Sequence, residues 1–418
     1  MPLDSGQSRP LVLAMVTDAI HPYHLGGKET RTRQLATRLA ASGIEVHVFT
    51  MNWWEGGRYV ERDGVHYHAL CRRYPLYSGD RRSMLEAVAF AAATFRLLSY
   101  HFDVLEVDHI PQIVLVPTRM VAGWRRVPLL STWHEFWGVD CWREYLGHLG
   151  IFAGLLERLT LFLPDHIVTP SPETAWRLIE NGKDRSRVTI VPNGIDRAAI
   201  DAATAWPRRI DVVFVGRLVS HKGAHVLIDA LAILRDRDTV ARCVIVGRGP
   251  ERGALERQAA ACGLSEAVQF LENLDDDELH GLVKASRVFV LPSVREGFGI
   301  AVAEALACGV PVVTTSHPDN HARSLVEEEV TGWLCEPTAA SLAAALEIAL
   351  SRAGGAVAAD PALLARFEWQ ASITALRGVI EDSAARLPAA RRRSPRTGGR
   401  PATALAVCAE KSSNGRPS

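Results

Sequence analysis

Read as a pattern of apolar and polar positions, the chain alternates short apolar runs with longer segments whose apolar residues recur every three or four places. Short runs bounded by turn formers fit buried strands, and the longer recurrence fits helices packed along one side. In the first half the runs at 46–50, 65–70, 104–107, 128–133, 166–169 and 188–191 read as strands. The run at 11–17 fits a buried strand or a short helix, and the glycine-containing loop after it favours the strand. Helical stretches fall at 28–42, stopped by Gly43, and at 82–100, 111–123, 150–163 and 173–181. The second half repeats the scheme with strands at 212–215, 243–246, 268–271, 288–291 and 311–314. Helices at about 223–236, 251–261, 276–285 and 299–307 separate them, and further helical segments follow at 339–352 and 361–385. Strand-then-helix repetition with short links implies parallel sheets covered on both faces.

The turn Pro192-Asn193-Gly194-Ile195-Asp196 and the polar, alanine-rich link at 198–209 divide the chain. The expected fold is therefore α/β, with two Rossmann-like lobes facing each other across a cleft, a natural ligand site. The first lobe would span 1–200 and the second 208–360. A helix at 361–386 could cross back to the first lobe, and 387–418 would form a basic, disordered tail.

Bulk properties narrow the picture. A chain of 418 residues suits two domains of ordinary size. Lys plus Arg equals Asp plus Glu at 47 each, so no nucleic-acid partner is expected. The seven cysteines are scattered and form no CxxC, which points to a reducing compartment and away from structural zinc. The first ten residues lack a basic-then-apolar leader, and the apolar stretch 149–163 is too short for a span and carries Glu157-Arg158. A cytoplasmic protein is expected, at most peripheral at the inner face of a membrane. Trp53-Trp54 with Arg58, or Arg72-Arg73 with Arg81-Arg82, could make such a contact, as could the tail arginines, for which a solvated tail is the simpler reading.

The chemistry concentrates at 295–305, where Glu296 and Glu304 flank the turn Gly297-Phe298-Gly299. An apolar run precedes this segment and a small-residue helix from Ile300 follows it, giving the order strand, glycine turn, helix N-terminus. In a doubly wound sheet that corner lies at the carboxyl end of the strands, where ligands bind. Free N–H groups at the helix start favour phosphate, and two acids suit sugar and ribose hydroxyls. The bland alternative is a pair of solvated surface acids. Gly26-Gly27 opens a helix after the first strand and could let backbone approach a phosphate, or could be only a turn. Arg217 and Lys222 sit five positions apart across another strand-to-helix turn, so both could reach one diphosphate. Gly247 and Gly249 end the next strand, but the third glycine of a dinucleotide fingerprint would fall at Arg252, which argues against that cofactor.

Taken together and in order, these motifs resemble the family 4 retaining glycosyltransferases of the two-lobed GT-B fold, over about residues 10–385. The second lobe carries the most specific matches: Phe214-Val215-Gly216-Arg217-Leu218, Lys222-Gly223, Val246-Gly247-Arg248-Gly249-Pro250, the Glu296-to-Glu304 motif and Thr331-Gly332-Trp333-Leu334. In the first lobe the matches are Gly26-Gly27, Ser131-Thr132-Trp133-His134-Glu135 and Val191-Pro192-Asn193-Gly194-Ile195-Asp196. The resemblance implies transfer of a sugar from a nucleoside diphosphate sugar, UDP- or GDP-linked, to an acceptor hydroxyl with the anomeric configuration kept. It implies that Arg217 and Lys222 hold the diphosphate without a catalytic metal or other cofactor. Glu304 would hold the ribose and Glu296 the transferred sugar, with the backbone at Phe298, Gly299 and Ile300 beside them. Gly26, Gly27 and Gly249 would complete the donor site, and His134 would contact the donor sugar or place the acceptor.

The acceptor would be a glycan, a cyclitol or a lipid-linked hydroxyl compound, within cell-surface glycan or secondary-metabolite synthesis. Aromatic residues between Trp133 and Tyr145 could stack on a sugar ring or pack against a helix. The Ala- and Arg-rich composition fits a GC-rich bacterial genome. Competing expectations are a nucleotide-sugar epimerase and a non-catalytic sugar-nucleotide-binding protein.

Overall fold

The computed structural model describes residues 9–24, 26–78, 81–239, 241–352, 365 and 367–386. The expected tail at 387–418 lies outside the described residues. The chain begins with β1 (Val12–Val16), α1 (Gly27–Ala41), β2 (Glu45–Asn52), β3 (Tyr59–Arg62), β4 (Val65–Arg72) and the short ribbon β5 (Tyr77–Ser78) with β6 (Arg81–Arg82). There follow α2 (Met84–Ala93), β7 (Val104–Asp108), α3 (Leu115–Arg125), β8 (Leu129–Thr132), α4 (Gly138–Leu146) and α5 (Gly150–Thr160). The first lobe then continues with β9 (His166–Thr169), α6 (Pro172–Glu180) and β10 (Val188–Ile190). Its sheet has the order β10-β9-β8-β7-β1-β2-β4-β3, parallel throughout except that β3 runs against β4. β1 lies between β2 and β7, and all five of its residues are buried because helices cover both faces.

The second lobe contains α7 (Arg197–Ala202), β11 (Ile210–Val215), α8 (Ala224–Asp236), β12 (Cys243–Val246), α9 (Arg252–Ala261) and β13 (Val268–Leu271). It continues with α10 (Asp276–Lys284), β14 (Ser286–Leu291), α11 (Ile300–Ala307), β15 (Val312–Thr315), β16 (Gly332–Cys335) and α12 (Ala339–Arg352). Its six strands are all parallel, in the order β13-β12-β11-β14-β15-β16. The two-lobed α/β architecture with parallel sheets is thus as read from the apolar pattern.

Three details differ from that reading. β3 is mostly exposed and too polar to register as a strand, yet it closes a hairpin through Asp63 and Gly64, both with positive φ (53° and 73°). α4 lies within the aromatic-rich segment, where no helix was expected. The link at 198–209 is not a free linker: it contains α7, and Ile195 and Ile200 already belong to the second lobe's core. Lys284 holds the end of α7 through the carbonyls of Asp201 and Ala203 at 3.2 and 2.7 Å.

A last helix, α13 (Trp369–Ala385), leaves the second lobe and packs into the first. Its residues Trp369, Ile373, Leu376 and Ile380 recur at helical spacing on one face and join the first lobe's core. Ser372 donates to the Pro192 carbonyl at 2.8 Å, and Arg377 to that of Ser42 at 3.2 Å. A Cβ on Gly194 would stand 2.3 Å from the Trp369 ring, so only glycine admits the helix at this corner.

The surface contact expected of Trp53-Trp54 and Arg82 does not hold. Both tryptophans are buried, and the Trp53 indole N–H donates to the Asp18 carbonyl at 3.0 Å. Arg82 is ion-paired to the buried Asp18 at 2.5 Å, because a carboxylate taken out of water needs a cation beside it. Among the described residues no helix is long and apolar enough to cross a membrane.

Candidate active site

The carboxyl ends of both sheets point into the cleft between the lobes. On the second-lobe side β14 ends at Leu291 and the chain turns through Glu296 and Gly297 to Gly299, which starts α11. The Glu296 N–H donates to the Asp319 carbonyl and its own carbonyl accepts from His321, both at 2.9 Å. Gly299 adopts φ +84°, and a Cβ there would lie 2.4 Å from that of Ala322, so a side chain is excluded on two counts. Gly299 brings no capping side chain, and within the described residues the N–H groups of Ile300 and Ala301 make no hydrogen bond. A helix end in that condition attracts anions. The Phe298 ring, by contrast, turns inward to the core beside Phe367.

Lys222 closes a 3₁₀ turn before α8 and is ion-paired with Glu296, both side chains largely buried. Gly223 makes this approach feasible: at φ +74° its α-carbon packs on Pro292, where a Cβ would come within 2.2 Å of the carbonyl. Neighbouring His221 is pushed down to about 3 by burial and then by Lys222, Arg217 and Arg295, which marks a concentration of positive charge. Arg217 itself is exposed, and its side chain has no hydrogen-bond or ion-pair partner among the described residues. Glu304 lies one turn after Ile300 on the same face of α11. Burial, with a smaller push from Asp276, raises its carboxyl to about 7. Gly249 has a packing reason in this structure: its α-carbon sits against the Leu218 backbone, 2.1 Å being left between a Cβ and the carbonyl oxygen.

On the first-lobe side His134 follows β8, and its Nε2 lies 3.3 Å from Asp108 at the end of β7. Burial alone would raise the Asp108 carboxyl, but Lys28, His134 and His109 outweigh it and hold it well below the usual range. Lys28, at the start of α1, reaches Asp18 at 2.5 Å and Asp108 at 3.6 Å. Burial would lower the Lys28 ammonium, yet Asp108 and Asp18 hold it above its ordinary value. Asp18, Lys28 and Asp108 escaped the sequence reading. The available signal was their position, each being an ionisable residue at or just beyond the carboxyl end of a strand or at the first turn of a helix.

The lobes touch at several of these points. Gly27 faces Ile300, a Cβ there falling 3.7 Å from Ile300 Cδ1, so the starts of α1 and α11 oppose each other. Gly297 lies under His134, leaving 3.1 Å between a Cβ and the His134 carbonyl oxygen. Arg177 of α6 is ion-paired with Asp319, and the Arg295 guanidinium stands 4.9 Å over the Trp137 ring. A pocket between the lobes is lined by Glu135, Trp137, Arg177, Arg295, Glu296 and His321. Trp137 also packs on Trp142 at 4.6 Å and on Tyr145 at 5.4 Å, so much of the aromatic segment is structural. Glu157 of α5 fixes this corner by accepting from the backbone N–H groups of Trp137 and Gly138 at 3.0 and 2.8 Å.

Two facing parallel-sheet lobes with cations, open helix ends and carboxylates gathered between them define the GT-B class of sugar-transferring enzymes. Residues 196–357 match the family model described as Glycosyl transferases group 1, and residues 25–199 match Glycosyltransferase Family 4. The chain belongs to these group 1, family 4 glycosyltransferases. It is 32% identical to the D-inositol 3-phosphate glycosyltransferase of Salinispora tropica over 376 residues, covering 78% of this chain and 76% of that one. Against the glycogen synthase of Mycobacterium tuberculosis it is 28% identical over 394 residues, 87% of this chain and 92% of the relative. The crystal structure of Anabaena Alr3699/HepE in complex with UDP-glucose shares the fold, with a TM-score of 0.69 at 18% identity, over 89% of this chain and all of that one (100%).

Proposed function

We propose that this glycosyltransferase moves a sugar from a nucleoside diphosphate sugar, UDP- or GDP-linked, to an acceptor hydroxyl with retention of configuration. The observation that carries the donor assignment is the convergence of Arg217, Lys222 and the open N-terminus of α11 beside Glu304, opposite Gly27. In this reading the diphosphate takes the helix end and the two cations, and Lys222 exchanges Glu296 for phosphate oxygen. Glu296, released, accepts from hydroxyls of the transferred sugar, and Glu304 accepts from the ribose. As the bond from the sugar to the phosphate breaks, negative charge grows on the leaving diphosphate, and fixed cations stabilise it more than they stabilise the bound donor. That charge neutralisation is the ground for proposing transfer without a divalent metal. His134, steadied by Asp108, faces the sugar from the other lobe. The UDP-glucose bound by the Anabaena protein supports a uridine donor here as the first to try.

The acceptor side allows a polar sugar or cyclitol, in keeping with the inositol phosphate named for the Salinispora relative. One observation favours a membrane-borne acceptor instead, and with it a place at the inner face of a membrane. The outer faces of α2, α3 and α5 expose Met84, Leu85, Trp124, Phe152 and Leu159, and Phe162 in the turn after α5 joins them, with Trp124 81% and Phe152 70% exposed. α5 packs directly on α4 at the rim of the cleft.

The test is turnover with a panel of donors and of soluble and vesicle-borne acceptors, reading nucleoside diphosphate release and the anomeric configuration of the product by NMR. Acceptor-dependent release with a retained anomer is the expected result. An inverted anomer, or release that no acceptor accelerates, would remove the proposal.

A further inference from the structure

The strongest feature outside the cleft is a row of imidazoles on the first-lobe sheet. β2 and β4 run parallel with His47 paired to His66 and Phe49 to His68, and β3 returns antiparallel with Glu61 opposite His66 and Tyr59 opposite His68. Because side chains alternate along a strand, Glu45, His47, His66, His68, Glu61 and Tyr59 all share one face. The neighbouring positions Val46, Val48, Val65 and Tyr67 turn to the opposite, buried face.

We propose that Glu45, His47 and His66 form a binding site for a divalent transition-metal ion of the zinc type. Their ligand atoms already lie within 4.8 Å of one another. A tetrahedral ion with bonds of about 2.0–2.1 Å holds its ligands roughly 3.4 Å apart, so binding draws the three atoms together and tilts the His47 and His66 rings, stacked at 4.8 Å between centroids, toward a common point. His47 Nε2 is 2.9 Å from Glu45 Oε1, and the ion takes the place of the proton between them, which leaves to water.

The outer shell is what separates this group from a chance polar patch. A metal-bound imidazole needs its second nitrogen tied down to fix its tautomer and ring orientation. Here His47 Nδ1 lies 2.9 Å from His68 Nε2, and His66 Nδ1 lies 2.9 Å from the Tyr59 hydroxyl. Both ligating rings therefore present their other nitrogen to the ion. Glu61, with a carboxylate oxygen 3.7 Å from His66 Nδ1, is within reach as a further partner. Two histidines and one carboxylate leave a position for water, a set that suits zinc, cobalt or iron.

The location defines the role. Glu45 and His47 stand at the amino-terminal end of β2, whereas the cleft lies beyond the carboxyl ends of the strands. An ion here would clamp the exposed hairpin of β3 and β4 to β2 and close a sheet edge, and it would take no part in sugar transfer.

The probes are zinc and cobalt ions alone, added to the full chain after chelator treatment and dialysis. The expected results are one ion bound per chain, a higher melting temperature with zinc, and the visible absorption of tetrahedral cobalt. His47→Ala and His66→Ala should abolish saturable binding, and His68→Ala should weaken it by about 10–100-fold as an outer-shell change. Glu45→Gln, at a half-exposed position, serves should a histidine variant fail to fold, and binding should drop there too. Absence of saturable binding by either ion would overturn the proposal. So would binding that survives unchanged in His66→Ala and Glu45→Gln, which would place the ion elsewhere.

Discussion

Glu304 carries the sharpest consequence at the scale of a single residue. An ionised carboxylate accepts from both ribose hydroxyls through charge-assisted bonds that the neutral acid makes more weakly, and burial places the Glu304 transition at about 7. Donor affinity should therefore tighten as pH rises through about 7, falling below it by at most about tenfold per unit. Titration calorimetry with an intact nucleoside diphosphate sugar reads this cleanly, because its diphosphate does not titrate in that range. In Glu304→Gln the pH dependence should disappear. Stability should move the opposite way: the folded chain holds the Glu304 proton more tightly than the unfolded chain does, so stability contributed by this group declines between the ordinary carboxyl value and about 7. Above that pH the glutamine variant should melt higher than the native chain, which a thermal scan at two pH values checks. Lys222 acts differently, through charge. Lys222→Ala should lower kcat by about 10²–10³-fold, the usual loss when a preorganised charge donor is removed, as steady-state assays would show.

At the scale of elements, the glycines of the two helix starts separate backbone necessity from ligand contact. Gly299→Ala forces a Cβ into Ala322 at φ +84° and should destabilise the second lobe by roughly 2 kcal/mol or more in urea unfolding. Gly27→Ala meets only ordinary contact with Ile300, so stability should stay within about 0.5 kcal/mol while donor affinity reports any phosphate approach. Much of this was legible in the sequence, because Gly297-Phe298-Gly299 between an apolar run and a small-residue helix carries its own turn chemistry. α4 was not legible: its nine residues are all exposed or half-buried and it is anchored by Glu157 from the next helix, a contact that no local pattern reveals. β3 was hidden by its polarity, though Asp63-Gly64 was a hairpin signal in plain view.

For the whole molecule, two lobes depend on a few contacts across the cleft and on α13. Arg177 and Asp319 are each about a third exposed (33% and 29%), so their ion pair adds little to stability. Arg177→Ala should leave the melting temperature nearly unchanged, raise the donor KM several-fold, and give a larger radius of gyration in solution scattering. The burial of Trp369, Ile373, Leu376 and Ile380 in the first lobe ties α13, which follows the second lobe, to the first. The sequence pattern predicts a helix at 361–386 that could cross back to the first lobe, but the contacts that seat it there are long-range and no local pattern contains them. The same limit applies to Asp18, Lys28 and Asp108, whose meeting depends on the order of β1 and β7 in the sheet.

The most direct test of the central claim is calorimetric titration of the chelator-treated full chain with UDP- and GDP-sugars, repeated for Arg217→Ala and Lys222→Ala. One donor class should bind one-to-one without added metal, and each variant should bind at least tenfold more weakly. Arg217→Ala, at an exposed position, should melt as the native chain does, whereas Lys222→Ala should melt lower because it leaves the largely buried Glu296 unpaired. Failure of every donor to bind, or equal binding by both variants, would contradict the placement of the donor at Arg217, Lys222 and the start of α11.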